Sequence, residues 1–337
     1  MALPAGILRA AAIITGTASF RILLTLAVLI AAPLATQAQD WPGKPVRLIV
    51  PFAAGGSTDV AARLIAEYLS RAFGHQVYVE NRTGANGVIG IEAAAKSEPD
   101  GYTILVAPDA IVSNPHIYKV NYDALQDFVP VVQLSNQPIV FAAHPDLGVK
   151  SIAELVARAK NEPGMRFGTG SGVGSAQHMV GQWFAQIAGI TLEQVPYRGG
   201  GQAINDLIAG HVKLGSLGST PLIPHYKRGT LLLLAQTTET RSPSLPEIPT
   251  FQEAGIKGLV VDQWLGVFVP SRTPAPIIAR LNAEIGKALA DPAIKTSFAS
   301  SALDPIGGTP EAFSRRVRDD FAKYERLVKD LSIKAQP

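Results

Sequence analysis

The segment VRLIVPFAAGGSTDVAARLIAEYL, residues 46–69, joins a short apolar run to a glycine-rich turn and then to a helical pattern. After Thr58, apolar residues recur at the 3.6-residue spacing of a helix with one buried face. The turn itself, residues 54–59, carries two glycines and two hydroxyl side chains but lacks the lysine of a nucleotide-binding loop. The segment therefore predicts a strand, a turn with free backbone N–H groups and a helix, which is the repeating unit of an α/β fold.

The same alternation continues along the chain and starts afresh after residue 143. Two long apolar strands, around residues 138–143 and 264–269, bracket this second series. The chain is therefore expected to cross twice between two α/β lobes, each a mostly parallel sheet flanked by helices. The expected division is a discontinuous first domain, residues 39–141 and 265–337, and a second domain, residues 142–264. Two lobes joined by a double crossover form a hinged cleft that can close on a ligand.

Near the C-terminus the pattern predicts four helices. A capping box of Thr250 and Glu253 marks the start of a short one. Longer helical stretches follow at residues 275–290, 293–300 and 310–331. The last of these has Thr309 as its cap and Pro310 at its first position.

The N-terminus has the composition of a secretory signal. Arg9 and Arg21 are the only charges in the first 38 residues, and an uninterrupted apolar stretch covers residues 22–32. Small residues at the peptidase positions predict cleavage after Ala38 and export to the periplasm. An uncleaved anchor is the alternative, but the apolar core is short for a membrane span.

Composition excludes several classes of function. Removal of the two leader arginines lowers the formal charge from +3 to +1, so no global field attracts nucleic acid or an anionic membrane. The chain has no cysteine, which excludes disulfides, thiolate nucleophiles and cysteine-ligated metals. The six histidines are scattered without metal spacing, so neither a metal nor a cofactor is expected.

Four glycine-rich turns are the candidates for ligand binding. They are residues 54–59, 81–87, 168–175 and 197–201. Glycine lets backbone N–H groups approach a ligand, and a following helix adds about half a positive charge at its N-terminus. One such turn is commonly simple turn chemistry, but four of them, divided evenly between two lobes, predict an anion cradle without phosphoryl chemistry.

Individual polar side chains suggest binding rather than catalysis. Asp59 is interpreted as a helix-capping acid, and His178 as a packed or hydrogen-bonding histidine. A hydrolase or isomerase that uses His178 with Ser175 is an alternative, although both side chains would need an orienting acid. No serine has the flanking glycines of a nucleophile elbow, so the chain is not expected to be an enzyme.

These blocks together resemble the Bug family of periplasmic solute-binding proteins, the receptors of tripartite tricarboxylate transporters. The resemblance covers residues 41–331 and rests on five ordered blocks. These are WPGKPVRLIVPFAAGGSTDVAAR, VENRTGANGVIG, PDGYTIL, VPYRGGGQAINDLIAG and PHYKRG. It implies a two-lobed periplasmic binding protein fold of type II that closes on a small organic carboxylate. Residues 212–219 depart from the commonly bulkier, acidic family pattern, which implies either a wider pocket or the loss of a polar contact with the ligand.

The resemblance also implies a set of ligand-binding positions. In the first lobe these are Phe52, Ser57, Asn81, Gly84, Ala85 and Gly87. In the second lobe they are Thr169, Ser171, Ser175, His178, Tyr197, Arg198 and Gly199, which would read the far end of the ligand. The implied partners are a carboxylate and integral membrane permease subunits, and a monomer is expected. A receptor that presents its ligand to a two-component kinase is the second alternative.

Overall fold

The computed structural model describes residues 41–334, so the predicted signal peptide lies outside the described residues. A compact unit that begins at Lys44 contains every strand and helix of the described part. Its strands are β1 (Val46–Val50), β2 (Val77–Asn81), β3 (Thr103–Pro108), β4 (Phe128–Ala143), β5 (Met165–Thr169), β6 (Leu192–Pro196), β7 (Leu214–Gly218), β8 (Leu232–Gln236), β9 (Asp262–Pro270) and β10 (Asp304–Gly307). Its helices are α1 (Ser57–Phe73), α2 (Val88–Ala95), α3 (Ala110–Ser113), α4 (Ile152–Asn161), α5 (Ala176–Ala188), α6 (Gly200–Ile208), α7 (Ile223–Lys227), α8 (Ala275–Ala290), α9 (Pro292–Ser300) and α10 (Pro310–Asp330).

One long strand, β4, belongs to both parts of the sheet. The strand order is β2-β1-β3-β9-β4-β7-β5-β6, and β8 and β10 also pair with β4. Up to Pro138, β4 pairs with β9, and from Ile139 it pairs with β7 and β8. We call the part containing β1, β2, β3 and β9 the first half, and the part containing β5, β6, β7 and β8 the second half. The change of partner marks where β4 passes between them.

The pairing directions follow the connections. Strands joined through helices are parallel: β1 with β2 and β3, and β5 with β6 and β7. Strand β4 leaves the first half and β9 returns to it, so they lie antiparallel to each other and to their other neighbours. The parallel units predicted from the sequence are therefore present, but the two crossing strands make the sheet mixed.

Aromatic packing on β4 and β9 holds helices against both halves. Phe141 on β4 packs edge-on against Phe184 of α5, with ring centroids 5.0 Å apart. Trp264 on β9 packs against Phe313 of α10, with centroids 5.3 Å apart. Edge-to-face pairs contribute about 0.5–1.5 kcal/mol beyond their buried area. The crossing strands are thus fixed in the core, and the turns at the strand ends have a rigid support.

Two elements in the C-terminal part differ from the prediction: the helix expected after Thr250 and the strand β10. The capping box at Thr250 forms, because Glu253 N donates to Thr250 Oγ1 at 3.1 Å. A turn rather than a helix follows, and Gly255 adopts a left-handed φ of 90° that ends it. Strand β10 has no apolar alternation in sequence and forms because it pairs with β4.

Candidate functional site

The carboxyl ends of β1, β3, β5 and β7 surround a cavity of about 40 Å³. Since a buried water needs roughly 10–15 Å³ on this scale, the cavity has room for about three waters or one carboxylate group. The wall consists of Phe52, Gly56, Ser57, Thr58, Pro108, Gln137, Gly170, Ser171, Gln177, Gly200, Gly218, Pro221 and Gln263. None of these side chains is charged, so the field inside the cavity comes from backbone and amide dipoles. We call this space the inner cavity.

Helix α1 presents an uncapped N-terminus to the inner cavity. Its N-cap residue, Gly56, has no side chain to accept a hydrogen bond. The first intrahelical bond runs from Val60 N to Gly56 O at 3.0 Å, so the N–H groups before it have no intrahelical acceptor. Ser57 and Thr58, which carry two of these groups, are buried and line the cavity. The positive end of the helix dipole therefore faces a space without a competing carboxylate.

A second uncapped helix, α6, reaches the same cavity through Gly200. Its N-cap, Gly199, also lacks a capping side chain. The neighbouring turns come so close that a Cβ at Gly170 would lie 2.8 Å from Gly200 N, and one at Gly56 would lie 3.4 Å from it. At position 170 only glycine permits such backbone approach. Four glycine turns were predicted to meet in one cleft; three of them, one from the first half and two from the second, line this cavity.

Two buried glutamines that were not predicted from the sequence complete the wall. Gln137 on β4 and Gln263 on β9 are 1% and 5% exposed. Gln137 Nε2 donates to Gln263 Oε1 at 2.9 Å, and Thr220 Oγ1 donates to Gln137 Oε1 at 3.3 Å. Each glutamine directly precedes one of the two apolar stretches predicted to cross, residues 138–143 and 264–269, and this position was the available signal. Polar groups buried in crossing strands must be hydrogen-bonded, and these face the cavity.

A larger cavity of about 250 Å³ adjoins the first one. We call it the outer cavity; Phe52 and Ser171 line both. The remaining lining residues are Gly84, Ala85, Asn86, Gly87, Tyr118, Gly172, Val173, Pro196, Tyr197 and Arg198. Arg198 supplies the only formal charge of this wall, and Tyr197 OH donates to Asp206 Oδ2 at 2.7 Å. The second predicted turn, residues 81–87, therefore contributes to the outer cavity rather than the inner one.

Asn81, a predicted ligand-binding residue, supports the first turn and lines neither cavity. Its side-chain amide donates to Phe52 O and to Asp59 Oδ1, both at 2.9 Å. Asp59 is buried and also accepts from Gly55 N at 3.1 Å and from Arg63 Nε at 2.9 Å. Burial alone would raise the pKa of Asp59, but these hydrogen bonds hold it below its usual value. The hydrogen bonds of Asp59 are thus made within the first turn. The carboxylate does not cap α1, contrary to its interpretation as a capping acid, because α1 has no side-chain cap.

Thr169, Ser175 and His178 likewise lie outside the lining of both cavities, because their polar atoms are engaged locally. Thr169 Oγ1 donates to Ser171 O at 2.6 Å. Ser175 caps α5 by accepting from His178 N at 3.2 Å, and His178 Nδ1 accepts from Gly174 N at 3.0 Å. Burial lowers the pKa of His178 to about 4, so the ring is neutral. Within residues 41–334, Ser175 and His178 are joined through the backbone N–H and not through the imidazole, which gives no support to a catalytic pair.

The turns of the two halves touch each other directly. Ala53 N donates to Arg198 O at 3.3 Å, and Gly172 N donates to Asn86 Oδ1 at 3.0 Å. A Cβ at Gly199 would lie only 2.6 Å from Ala53 Cβ, which places this predicted residue at the contact between the halves. The turns of the two halves are therefore in contact, as expected of a closed arrangement.

Residues 41–334 were also considered as a possible metal-binding or membrane-spanning chain, and they have the features of neither. No group of three or more potential metal-ligating side chains occurs there. None of the helices in this part has the length and apolar character needed to cross a bilayer.

Comparison with known proteins finds relatives over nearly the whole length. A family profile described as "Tripartite tricarboxylate transporter family receptor" matches residues 61–333. Protein BugT of Bordetella pertussis is 34% identical over 308 residues, which are 90% of this chain and 94% of that protein. The solved structure of periplasmic binding protein BugD is 32% identical with a TM-score of 0.84, over 88% of this chain and 100% of that one. The structure of R. palustris Rpa4515 with adipate is 33% identical with a TM-score of 0.84, over 88% and 99% of the two chains.

The profile match begins within α1 and ends beyond α10, so it includes the second half, the first half except β1, and three of the four glycine turns. The structural matches confirm the predicted two-lobed periplasmic binding protein fold. The sequence resemblance to the Bug family is also confirmed. The chain is therefore a member of the tripartite tricarboxylate transporter receptor family.

Proposed function

We propose that the protein is a periplasmic solute-binding receptor. It captures a small organic carboxylate between its two lobes and delivers it to the membrane subunits of a tripartite transporter. The supporting observation is the inner cavity, where two uncapped helix N-termini and two glutamine amides meet and no acidic side chain contributes to the wall. Such a site offers hydrogen-bond donors to an anion without formal positive charge. The adipate bound to Rpa4515 supports a carboxylate as its occupant.

The energetics of this arrangement fit reversible capture. Each hydrogen bond to a charged group contributes about 1.5–3 kcal/mol. Micromolar affinity requires about 8 kcal/mol, so roughly three to five such bonds suffice. The donors available include the N–H groups of Ser57, Thr58 and Gly200. This affinity allows the ligand to be released when the lobes open.

The two cavities are suited to bind different ends of the ligand. The inner cavity has room for one carboxylate group, and the outer cavity takes the rest of the molecule. Arg198 is the cation in the outer wall, where a second carboxylate would pair with it. A dicarboxylate long enough to span from Ser57 to Arg198 is therefore the class of ligand we propose.

The remaining features of the proposed receptor follow the sequence predictions. Export uses a leader cleaved after Ala38. The lobes comprise residues 39–141 with 265–337, and residues 142–264. The mature protein acts as a monomer, binds no nucleic acid and catalyses no reaction.

A thermal-unfolding screen of the chain from residue 39 onward tests this proposal. Succinate, adipate and longer dicarboxylates are compared with adipamide, which has the shape of adipate without its charge. A ligand at 100 times its Kd stabilises the folded state by about 2.7 kcal/mol, which raises Tm by at least about 2 °C. We expect a dicarboxylate to raise Tm and adipamide to leave it unchanged. An equal effect of adipamide, or no response to any carboxylate, would contradict the proposal.

A pair of serine variants provides the matched control. Ser57→Ala removes a hydroxyl from the wall and should reduce the ligand-induced rise in Tm. Ser151→Ala removes the side chain that caps α4 by accepting from Glu154 N at 3.2 Å, outside both cavities. Without ligand, this variant should lose about 1 kcal/mol of stability, and its Tm should fall accordingly. The ligand-induced rise in Tm should remain intact.

A further inference from the structure

A buried carboxyl group lies directly behind the wall of the inner cavity. Asp109 follows β3 and the lining residue Pro108, and it is 1% exposed. It is not among the residues that line the cavity. Burial of a charged side chain costs free energy unless the charge is paired or hydrogen-bonded.

Asp109 is connected to the cavity through the side chains of Gln263 and Gln137. The Gln263 side chain acts on the carboxyl group of Asp109 and lowers its pKa, Gln263 Oε1 accepts from Gln137 Nε2 at 2.9 Å, and Gln137 Oε1 accepts from Thr220 Oγ1 at 3.3 Å. An ionised carboxylate can only accept hydrogen bonds, so Gln263 must turn its amide nitrogen toward Asp109. Its oxygen is then the end that remains for Gln137. The orientation of each amide in the chain is thereby dictated by the charge at its start.

We propose that Asp109 is a positioning residue, which orients the amides of Gln263 and Gln137 so that a hydrogen of Gln137 Nε2 is presented to an anionic guest. The inference rests on the proposed function and deepens it. An amide nitrogen has two hydrogens, and Gln137 uses one for Gln263. Turning the amide over would present an oxygen to the carboxylate and repel it. Asp109 therefore makes the wall selective for anions without placing a charge in it.

The surroundings of Asp109 on α10 are suited to hold this charge away from the guest. Tyr324 OH donates to its carboxyl group. Burial has the largest effect on the pKa of Asp109 and raises it to about 6. Two charged residues of α10 also act on this pKa: Asp320 raises it and Lys323 lowers it. Asp320 is itself held by Trp264 Nε1 at 2.6 Å and Arg316 Nε at 2.8 Å. Above pH 6 the carboxylate accepts from Gln263; below it the protonated group donates instead, and the orienting charge is lost.

The first test does not require a ligand. The side-chain amide resonances of Gln137 and Gln263 are followed by ¹⁵N NMR in the wild type, in Asp109→Asn and in Asp320→Asn. The second variant makes the same chemical change in a neighbouring carboxyl group that bonds to Trp264 and Arg316. All three proteins are compared at pH 8, where loss of the Asp320 charge leaves Asp109 ionised. We expect the Gln137 amide to shift in Asp109→Asn and to keep its position in Asp320→Asn. In the wild type both amides should titrate together with a midpoint near pH 6. A Gln137 amide that is unmoved in Asp109→Asn would overturn the proposal.

The second test measures affinity at pH 8 with adipate and, if adipate does not bind, with the dicarboxylate that gives the largest rise in Tm. Asp109→Asn should weaken binding about tenfold, equivalent to about 1.4 kcal/mol, and Asp320→Asn should leave it within about twofold. Equal affinity of Asp109→Asn and wild type would refute the positioning role. If no carboxylate binds the wild type, the proposed function fails, whereas the NMR result still decides whether Asp109 orients the amides.

Discussion

A single methyl group at Gly199 should prevent the two halves from closing. Its Cβ would lie 2.6 Å from Ala53 Cβ and 3.0 Å from Ala53 N, whereas non-bonded carbons prefer about 3.5–4.0 Å. The halves would have to separate by about 1 Å at this point, and the bond from Ala53 N to Arg198 O would break. The φ of Gly199 is −178°, an extended value that alanine also adopts. Gly199→Ala therefore changes the contact between the halves and not the local backbone.

The substitution should destabilise the closed state by about 1–3 kcal/mol, the usual cost of overpacking, and leave the open state unaffected. Ligand affinity should fall by about 5- to 150-fold, while Tm without ligand should change little because each half keeps its core. Isothermal titration calorimetry with the dicarboxylate found by the Tm screen measures the first quantity, and calorimetric unfolding measures the second. Gly286→Ala is the control, because a Cβ there meets no atom within 4 Å. Affinity of Gly199→Ala equal to that of the control would refute the closed contact as the binding state.

Three further predictions concern side chains around the two cavities. Arg198→Gln should weaken dicarboxylate binding about tenfold and leave monocarboxylates unaffected, as measured by calorimetry; an equal loss for both would exclude a second charged subsite. Asn81→Ala should lower stability by about 1–3 kcal/mol in urea unfolding, because Phe52 O and Asp59 Oδ1 lose their donor; an unchanged midpoint would contradict this support. His178 is neutral when folded because burial lowers its pKa to about 4, so its contribution to stability is lost as pH falls from about 6.5 toward 4. The difference in the free energy of unfolding between wild type and His178→Gln, measured by urea unfolding, should therefore fall over this pH range. A pH-independent difference would refute the prediction.

The positions of the turns were predictable because their cause is local. Glycines before a helical pattern dictate a turn with free N–H groups wherever the fold places it. Phe52, Ser57, Gly84, Ala85 and Gly87 in the first half, and Ser171, Tyr197 and Arg198 in the second, lie on the two cavity walls. Their roles in binding remain predictions.

The misplaced residues had the right composition but satisfied their hydrogen bonds elsewhere. Asn81, Thr169, Ser175 and His178 sit in or beside glycine turns, and their side chains hold those turns instead of facing the cavities. A sequence shows that a polar group is present near a turn. It does not show which neighbour takes its hydrogen bond, since that neighbour is chosen by packing.

Local patterning thus determined the βα units, the glycine turns and the two crossing strands, because apolar spacing and backbone freedom are properties of neighbouring residues. Tertiary structure alone decided that β4 and β9 lie antiparallel between the halves. It also decided that Gln137 and Gln263, 126 residues apart, bond to each other in the cavity wall, and that Asp109 lies behind them. Contacts between distant residues depend on the register and packing of whole strands, which no local pattern encodes.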